Sequence, residues 1–133
     1  MPNLQCIVVT PEQTVLEASA DFVALPLYDG EIGIAPGHTP LIGRLGYGEM
    51  RIRDADRTLR YYVEGGFVEV IGNVVSVLTA RAVTADTVDA DVAREQLNVA
   101  RSRSARSPQE MAIRDRAVNQ ARAQLRVAKR VKA

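Results

Sequence analysis

The sequence is poor in the residue types on which much protein chemistry depends. Its 133 residues include one Cys, one His and no Trp. A single Cys forms no internal disulfide, and one Cys with one His supplies neither a zinc cluster nor a two-His zinc site. Cys6 alternates with Leu4 and Val8, which favours a buried thiol over the alternative of a reactive one. A chain of this kind is typical of a reducing compartment, of which the bacterial cytoplasm is the simplest.

The sequence also lacks long hydrophobic runs and targeting signals. No run approaches the ~18 consecutive apolar residues of a membrane span. Residues 1–3 lead directly into an apolar segment, without the basic region of a secretory leader or an Arg-rich import leader. The stretch from Gly43 to Gly46 lacks the spacing and the Lys of a phosphate-binding loop. We therefore expect no secretion, no direct membrane insertion and no phosphate-binding loop.

Charge is divided unequally along the chain. Residues 1–90 carry six basic and twelve acidic residues, a formal charge of −6, whereas residues 91–133 carry eleven basic and four acidic residues, a charge of +7. Such a basic tail fits an acidic surface of a protein partner, although the same arginines can be the solvated face of a helix pair. Nucleic-acid binding is less well supported, because no aromatic residue follows Phe67. The tail also lacks the bulky apolar residues of a membrane-surface helix.

The segment from Asp29 to Gly48 is dense in turn-forming residues. Six of the nine glycines and two prolines lie in it, which excludes a helix and predicts several sharp bends. A rigid corner of this kind can present His38, Thr39, Asp29 and Glu31 in fixed positions. We consider three roles for His38: a catalytic base beside Thr39 and an acid, a residue that satisfies backbone groups of the turn, and a contact in a protein interface. The interface role is favoured.

Short alternating segments predict strands through the first two-thirds of the chain. Residues 49–53 and 58–64 alternate polar and apolar side chains, as expected for strands with one face in a core. Gly72-Asn73 separates two valine-rich runs at the spacing of a β-hairpin, and Gly in the first position favours a type II′ turn. Seven to ten such strands without intervening helices predict an antiparallel β-sandwich over residues 1–86.

From Asp89 onward the apolar period becomes helical. Apolar residues recur at three- and four-residue steps and predict a first helix, with an apolar face formed by Val92, Ala93, Leu97 and Ala100. Asp89 is the predicted N-cap of this helix. Ser107, followed at the third position by Glu110, starts a second helix that runs to about Val131. We thus predict an α+β chain in which an antiparallel two-helix hairpin over residues 87–133 follows the sandwich. Its apolar stripe is thin and Ala-rich, so the hairpin can detach.

Several of these motifs together resemble one protein family. The order Gly30-Glu31-Ile32-Gly33-Ile34, followed by Pro36-Gly37-His38-Thr39-Pro40-Leu41, is similar to the signature of the epsilon subunit of F-type ATP synthases. The likeness covers nearly the whole chain, because it continues through Gly65-Gly66-Phe67 and into the helical tail.

The resemblance implies a non-catalytic rotor subunit of a proton-translocating ATP synthase. In the family, the sandwich lies at the foot of the central stalk, where it grips the gamma subunit and rests on the ring of c subunits. The helices switch between a folded hairpin and an extended arm that enters the catalytic alpha/beta hexamer and blocks ATP hydrolysis. The family's contacts to gamma and the c-ring map onto Asp29, Gly30, Glu31 and His38. The residues that match its basic helical face are Arg103, Arg106, Arg114, Arg122 and Arg126. The chain would then be peripheral, on the cytoplasmic face of the bacterial inner membrane.

The resemblance implies no cofactor, and ATP as a regulatory ligand is weakly supported. Some members bind ATP in the folded hairpin through an apolar residue, Asp, two further residues, Arg and Ala. Asp89 matches the Asp of this motif, but Val92 occupies the position of the Arg. Asp91 and Arg94 restore the acid-to-base spacing with different neighbours. An ATP site would therefore rest on Asp89, Asp91 and Arg94.

Two functions from other classes are the alternatives. A stand-alone protein- or nucleic-acid-binding module would use the basic helices, and specific nucleic-acid binding would persist at ~200 mM salt, where purely electrostatic attraction is weak. An enzyme that uses His38 would lose its turnover in the variant His38→Ala while its fold remained intact.

Overall fold

The computed structural model describes the backbone of residues 3–132 and the side chains of residues 3–130. It divides between Thr84 and Ala85 into a β-sandwich unit and a helical unit. This boundary falls two residues before the predicted one, because the 3₁₀ helix Ala85–Thr87 groups with the helices that follow it. The predicted fold class, a sandwich followed by a two-helix hairpin, is confirmed.

The sandwich unit consists of two five-stranded sheets. The first sheet has the strand order β2-β1-β9-β8-β5, and the second has the order β10-β7-β6-β3-β4. The strands are β1 (Leu4–Val9), β2 (Thr14–Ala20), β3 (Phe22–Leu27), β4 (Gly30–Ile34), β5 (Leu41–Arg44), β6 (Tyr47–Asp54), β7 (Arg57–Glu64), β8 (Phe67–Ile71), β9 (Val74–Leu78) and β10 (Ala82–Thr84).

One strand pair departs from the predicted antiparallel arrangement. β1 and β9 run parallel, in a register that extends from Gln5 beside Val74 to Val9 beside Leu78. The other strand pairs within the described residues are antiparallel. The parallel pair joins strands from opposite ends of the unit, so local sequence carries no turn signal for it.

The facing sides of the two sheets enclose a core of aliphatic side chains. Burial of these residues follows the period of two that the strands show in the sequence. Cys6 is fully buried among them, and burial raises the pKa of its thiol to about 12, so the prediction of a buried thiol is confirmed. The core residues are Leu4, Cys6, Val8, Ala20, Val23, Leu25, Ile34, Leu45, Met50, Ile52, Val63, Val68, Val70, Val75 and Val77.

One local prediction in the sandwich requires correction. The β8–β9 turn is of type I′ and not II′, because both Gly72 and Asn73 have positive φ, 57° and 64°. Asn is one of the few residues with a side chain that adopts this left-handed conformation readily.

The helical unit consists of α1 (Ala90–Ser102) and α2 (Pro108–Lys132), which pack against each other. Both predicted caps are confirmed: the Asp89 carboxylate accepts from the backbone N–H groups of residues 91 and 92, and Ser107 Oγ accepts from the N–H of Glu110 at 3.1 Å. Val92, which was predicted to lie on the apolar face of α1, is half-exposed. Ala90 is buried together with the other three predicted residues of this face. No helix within residues 3–132 is long and apolar enough to cross a bilayer.

Candidate protein-interaction surfaces

The β3–β4 turn presents an acidic group beside an aromatic ring. Leu27 pairs with Gly30, so Tyr28 and Asp29 form the two-residue turn, and both are exposed. Gly30 has φ = 145°, a conformation that favours glycine. Arg44 Cζ lies 5.4 Å from the centroid of the Tyr28 ring, within the range of a cation–π interaction. The strand pairing and this contact together restrict the turn to a defined shape.

Glu31, the second residue of β4, is held by an ion-pair network. Arg51 on β6 donates from Nη2 to Glu31 Oε1 at 2.6 Å and from Nη1 to Oε2 at 3.3 Å. This contact with Glu31 raises the pKa of Arg51 above its usual value. Glu49, whose side chain is 1% exposed, accepts from Arg51 at 3.4 Å and from Arg60 at 3.1 Å. The exposed Glu31 carboxylate is therefore fixed in one orientation by a two-pronged contact.

The segment from Ala35 to His38 is a type II turn. The His38 N–H donates to the Ala35 carbonyl at 3.1 Å, Pro36 occupies the second position, and Gly37 in the third has φ = 84°. His38 Nδ1 lies 2.7 Å from the Thr39 carbonyl oxygen. A carbonyl only accepts, so Nδ1 carries the proton, and Nε2 of the neutral ring is available as an acceptor. A partner's donor can bind His38 at this nitrogen.

The structure separates candidate residues that the sequence analysis placed on one corner. Asp29 precedes β4 and His38 follows it, so the two turns lie at opposite ends of a five-residue strand, ~16 Å apart along its axis. Glu31 is paired with Arg51 rather than with His38. The acids considered for the catalytic interpretation of His38 are therefore not its hydrogen-bond partners. The arrangement favours two separate contact sites.

Exposed apolar side chains lie on the outer side of β5, β8 and β9, with Glu69 and Ser76 between them, and the sequence analysis did not identify this surface. Ile42 is 74% exposed and Phe67 is 59% exposed. The strand register places Phe67 beside Leu78 and Ile71 beside Val74 on this side. A shallow, mainly apolar cleft continues it at the end of β9, lined by Val9, Pro11, Leu78 and Ala80 among others. We call the surface the apolar face and define it as Ile42, Phe67, Ile71, Val74 and Leu78. These exposed apolar side chains make the apolar face a candidate protein-binding site.

The predicted basic residues of the tail lie on the loop between the helices and on α2. Arg103 and Arg106 are exposed in the loop. The predicted α2 arginines, at 114, 122 and 126, are spaced by eight and four residues, so they share one broad side of the helix. Arg101, Arg114 and Arg122 line a shallow open cleft between the two helices, where Asp115 Oδ1 lies 3.9 Å from Arg114 Nε. We call the predicted set the hairpin arginines: Arg103, Arg106, Arg114, Arg122 and Arg126.

The residues considered for ATP take part in local contacts at the start of α1. The Asp89 carboxylate accepts from the Asp91 N–H at 2.8 Å and from the Val92 N–H at 3.2 Å. Arg94 Nη1 pairs with Asp91 Oδ1 at 3.0 Å, within one helical turn. Capping and pairing account for these side chains. Within the described part of the chain, no group of acidic, His and Cys side chains could hold a metal ion.

A sandwich with an exposed apolar face, a shaped turn at each end of β4 and a basic helical hairpin defines a protein-interaction subunit. Comparison with known proteins identifies the family. Residues 3–85 match the family described as ATP synthase, Delta/Epsilon chain, beta-sandwich domain. A protein of Rhodopirellula baltica named ATP synthase epsilon chain is 46% identical over 127 residues, which are 96% of this chain and 99% of the relative. A protein of the same name from Carboxydothermus hydrogenoformans is 43% identical over 74% of both chains.

The chain belongs to the ATP synthase epsilon family. Such a chain is a subunit of the synthase and is not itself a catalytic subunit.

Solved structures share the fold. A chain of the Euglena gracilis mitochondrial ATP synthase, solved as OSCP/F1/c-ring in rotational state 1, matches with a TM-score of 0.76 at 21% identity, covering 99% of this chain and 81% of that one. A chain of the Tetrahymena thermophila mitochondrial ATP synthase central stalk/c-ring matches with a TM-score of 0.75 at 14% identity, covering 94% and 96%. At these identities the likeness concerns the fold.

Proposed function

We propose that this chain is a rotor subunit of a proton-translocating ATP synthase, where it couples rotation of the c-ring and gamma to ATP synthesis and inhibits ATP hydrolysis. The main support is the match to an epsilon chain over 96% of the sequence, because it includes both the sandwich and the helical hairpin. The exposed surfaces of each unit supply a contact for each proposed partner. The chain is peripheral, on the cytoplasmic face of the bacterial inner membrane, and does not insert into the bilayer.

The gamma subunit binds the apolar face and the His38 turn. The apolar face carries five exposed apolar side chains on neighbouring strands, and desolvation of such side chains gives protein interfaces much of their affinity. His38 adds a polar contact that fixes the orientation of the partner.

Binding to purified gamma tests this contact. We expect Phe67→Ser to weaken binding about tenfold or more, as for an anchor at the centre of an interface. Val99→Ser is the matched control, because Val99 on α1 is also 59% exposed. Equal affinities for the two variants would remove the apolar face from the proposal.

The c-ring contacts Asp29 in the β3–β4 turn and Glu31 at the start of β4, at the other end of this strand from His38. Arg51 holds the Glu31 carboxylate so that it meets a polar loop in a fixed direction. Cross-linking tests the contact, because the buried, weakly acidic Cys6 leaves an introduced thiol as the reactive one. In the assembled synthase, Glu31→Cys should form a disulfide with a cysteine placed in the c-subunit loop. Asp56→Cys, on the β6–β7 turn at the far end of the second sheet, should not.

The hairpin arginines bind acidic loops of the alpha/beta hexamer and thereby inhibit hydrolysis. Residues 91–133 have a formal charge of +7, and charge complementarity both steers and orients such a contact. Arg122 and Arg126, which are exposed one turn apart on α2, are suited to this role because guanidinium groups pair with carboxylates in fixed geometry.

The ATPase rate of a synthase depleted of its epsilon subunit tests the whole proposal. Wild-type chain should restore inhibition, and a variant with Arg114→Gln, Arg122→Gln and Arg126→Gln should leave the rate at least about twofold higher. Arg57→Gln, an exposed arginine of the sandwich, is the control and should inhibit as the wild type does. A wild-type chain that neither binds gamma nor changes the rate would refute the proposed function.

A further inference from the structure

The tip of the β8–β9 hairpin is hydrogen-bonded to the turn that carries His38. The Gly37 N–H donates to Asn73 Oδ1 at 2.8 Å, and this contact joins residues 36 positions apart. The Asn73 carbonyl oxygen also accepts from the Gln5 N–H at 2.8 Å. Asn73 therefore connects the start of β1, the β4–β5 loop and the hairpin at one end of the sandwich.

The hydrogen bond from Gly37 to the Asn73 side chain holds the orientation of the Pro36–Gly37 peptide. This orientation is what differs between a type I and a type II turn. The His38 N–H donates to the Ala35 carbonyl in both a type I and a type II turn, and Pro36 suits the second position of either. The two types differ by a flip of the Pro36–Gly37 peptide, which carries the Gly37 N–H. An acceptor at Asn73 stabilises the orientation in which Gly37 has φ = 84°.

Asn73 can be changed without changing the hairpin turn. Its φ is 64° beside Gly72 at 57°, and a type I′ turn accepts Asn, Asp or Gly at such positions. Asn73→Gly keeps the turn and removes the acceptor, whereas Asn73→Asp keeps both the turn and an acceptor oxygen. The hydrogen bond to Gly37 can thus be tested separately from the fold.

We propose that Asn73 is a positioning residue, whose amide oxygen holds the Pro36–His38 turn in the conformation in which His38 contacts gamma. This inference rests on the proposed function. Ile71 and Val74 of the apolar face flank the hairpin turn, so the amide also sets the position of His38 relative to that face. The epsilon chain presents one preformed surface to its partner and spends no binding energy on ordering the turn.

The affinity of the full-length chain for purified gamma tests the inference. Asn73→Gly should weaken binding about 3- to 10-fold, the effect of one neutral hydrogen bond, with little change in melting temperature. Asn73→Asp should bind within about twofold of the wild type. His38→Ala should cost less affinity in the Asn73→Gly background than in the wild type, because the two residues act on one contact.

Hydrogen exchange of the Gly37 amide in the free chain gives a readout that does not depend on gamma. Exchange should be faster in Asn73→Gly and remain slow in Asn73→Asp. Unchanged exchange in Asn73→Gly, unchanged affinity of that variant, or an Asn73→Asp variant that binds as weakly would each overturn the inference. A wild-type chain that does not bind gamma would refute the proposed function instead, and Gly37 exchange would still report whether Asn73 holds the turn.

Discussion

Gly66 lies where the connection between β7 and β8 passes against the end of β9. A Cβ atom at this position would be 1.9 Å from the Leu78 carbonyl oxygen, and the φ of Gly66 is 100°. The neighbouring atom is backbone, so rotation of a side chain cannot relieve the clash. The Gly66 carbonyl also accepts from the Leu45 N–H at 2.8 Å, which ties this connection to the segment after β5.

We therefore expect Gly66→Ala to lower the free energy of unfolding by more than about 2 kcal/mol. Gly72→Ala is the control, because Gly72 has a positive φ but no atom within 4 Å of the added Cβ, and it should cost only about 1 kcal/mol. Urea unfolding followed by circular dichroism measures both. Similar losses for the two variants would show that the contact with Leu78 is unimportant.

Asp21, just before β3, is hydrogen-bonded to residues at the β6–β7 turn. Its carboxylate accepts from the Ala55 N–H at 2.9 Å and from Arg53 Nε at 3.0 Å. The hydrogen bond from Ala55 and, to a smaller degree, that from Arg53 lower the pKa of Asp21 below its usual value. Because the carboxyl of the unfolded chain protonates at higher pH, the stabilisation is complete above about pH 4 and is lost as the pH falls through the lowered pKa.

The variant Asp21→Asn should therefore be less stable than the wild type at neutral pH, and the difference should shrink in acid. Melting temperatures of both chains between about pH 2 and pH 7 measure this dependence. A difference that stays constant across the range would mean that the charge of Asp21 does not contribute.

At the scale of single elements, α2 depends on the residues at its start. Ser107 Oγ accepts from the Glu110 N–H, and Glu110 Oε2 accepts in return from the Arg106 N–H at 2.7 Å. The reciprocal bond thus reaches one residue further back than in a standard capping box. Ser107→Ala should destabilise the helical unit by about 1 kcal/mol. Ser104→Ala, in the same loop, should have little effect. Amide exchange along the first turn of α2 distinguishes the two.

The strands and helices were predictable because their patterns are local. The alternation from Glu49 to Arg53 and the Ser107 and Glu110 caps each depend on residues close together in the chain. The hairpin turn type was mistaken because Gly in the first position suggested type II′, whereas Asn73 tolerates a left-handed backbone as Gly72 does. The sequence thus predicted where the β8–β9 turn lies but not which type of turn it is.

The candidate contact surfaces were less predictable, because they depend on how strands pair. In β8, Glu69 lies between Val68 and Val70 and indicates the solvent side, which Phe67 and Ile71 share by the period of two, so this part of the apolar face was readable from the sequence. What the sequence does not show is that Ile42, Val74 and Leu78 lie beside these residues, because that depends on strand pairing. The structure buries Val68 and Val70 and exposes Phe67 and Ile71. The separation of Asp29 from His38 was also hidden, because it requires knowing that residues 30–34 between them form an edge strand.

At the scale of the whole molecule, the division of charge follows the division into units. The arginines at 101, 103 and 106 lie at the end of α1 and in the loop that follows, and they are exposed. Arg51 and Arg60, by contrast, lie within paired strands. Limited trypsin digestion of the free chain should therefore cut first between residues 101 and 106. Mass spectrometry identifies the products, and equally early cuts after Arg51 or Arg60 would contradict this expectation.

The parallel pairing of β1 with β9 also has a consequence for biosynthesis. β1 is made early, but its partner on one side is the ninth strand, so the first sheet cannot be completed until residue 78 has left the ribosome. Contacts between residues so distant in sequence slow folding, because a long loop must close before they form. Until β9 has been made, the edge of β1 that faces away from β2 has no partner strand. Nascent chains are most exposed to aggregation or chaperone capture during this stage of translation.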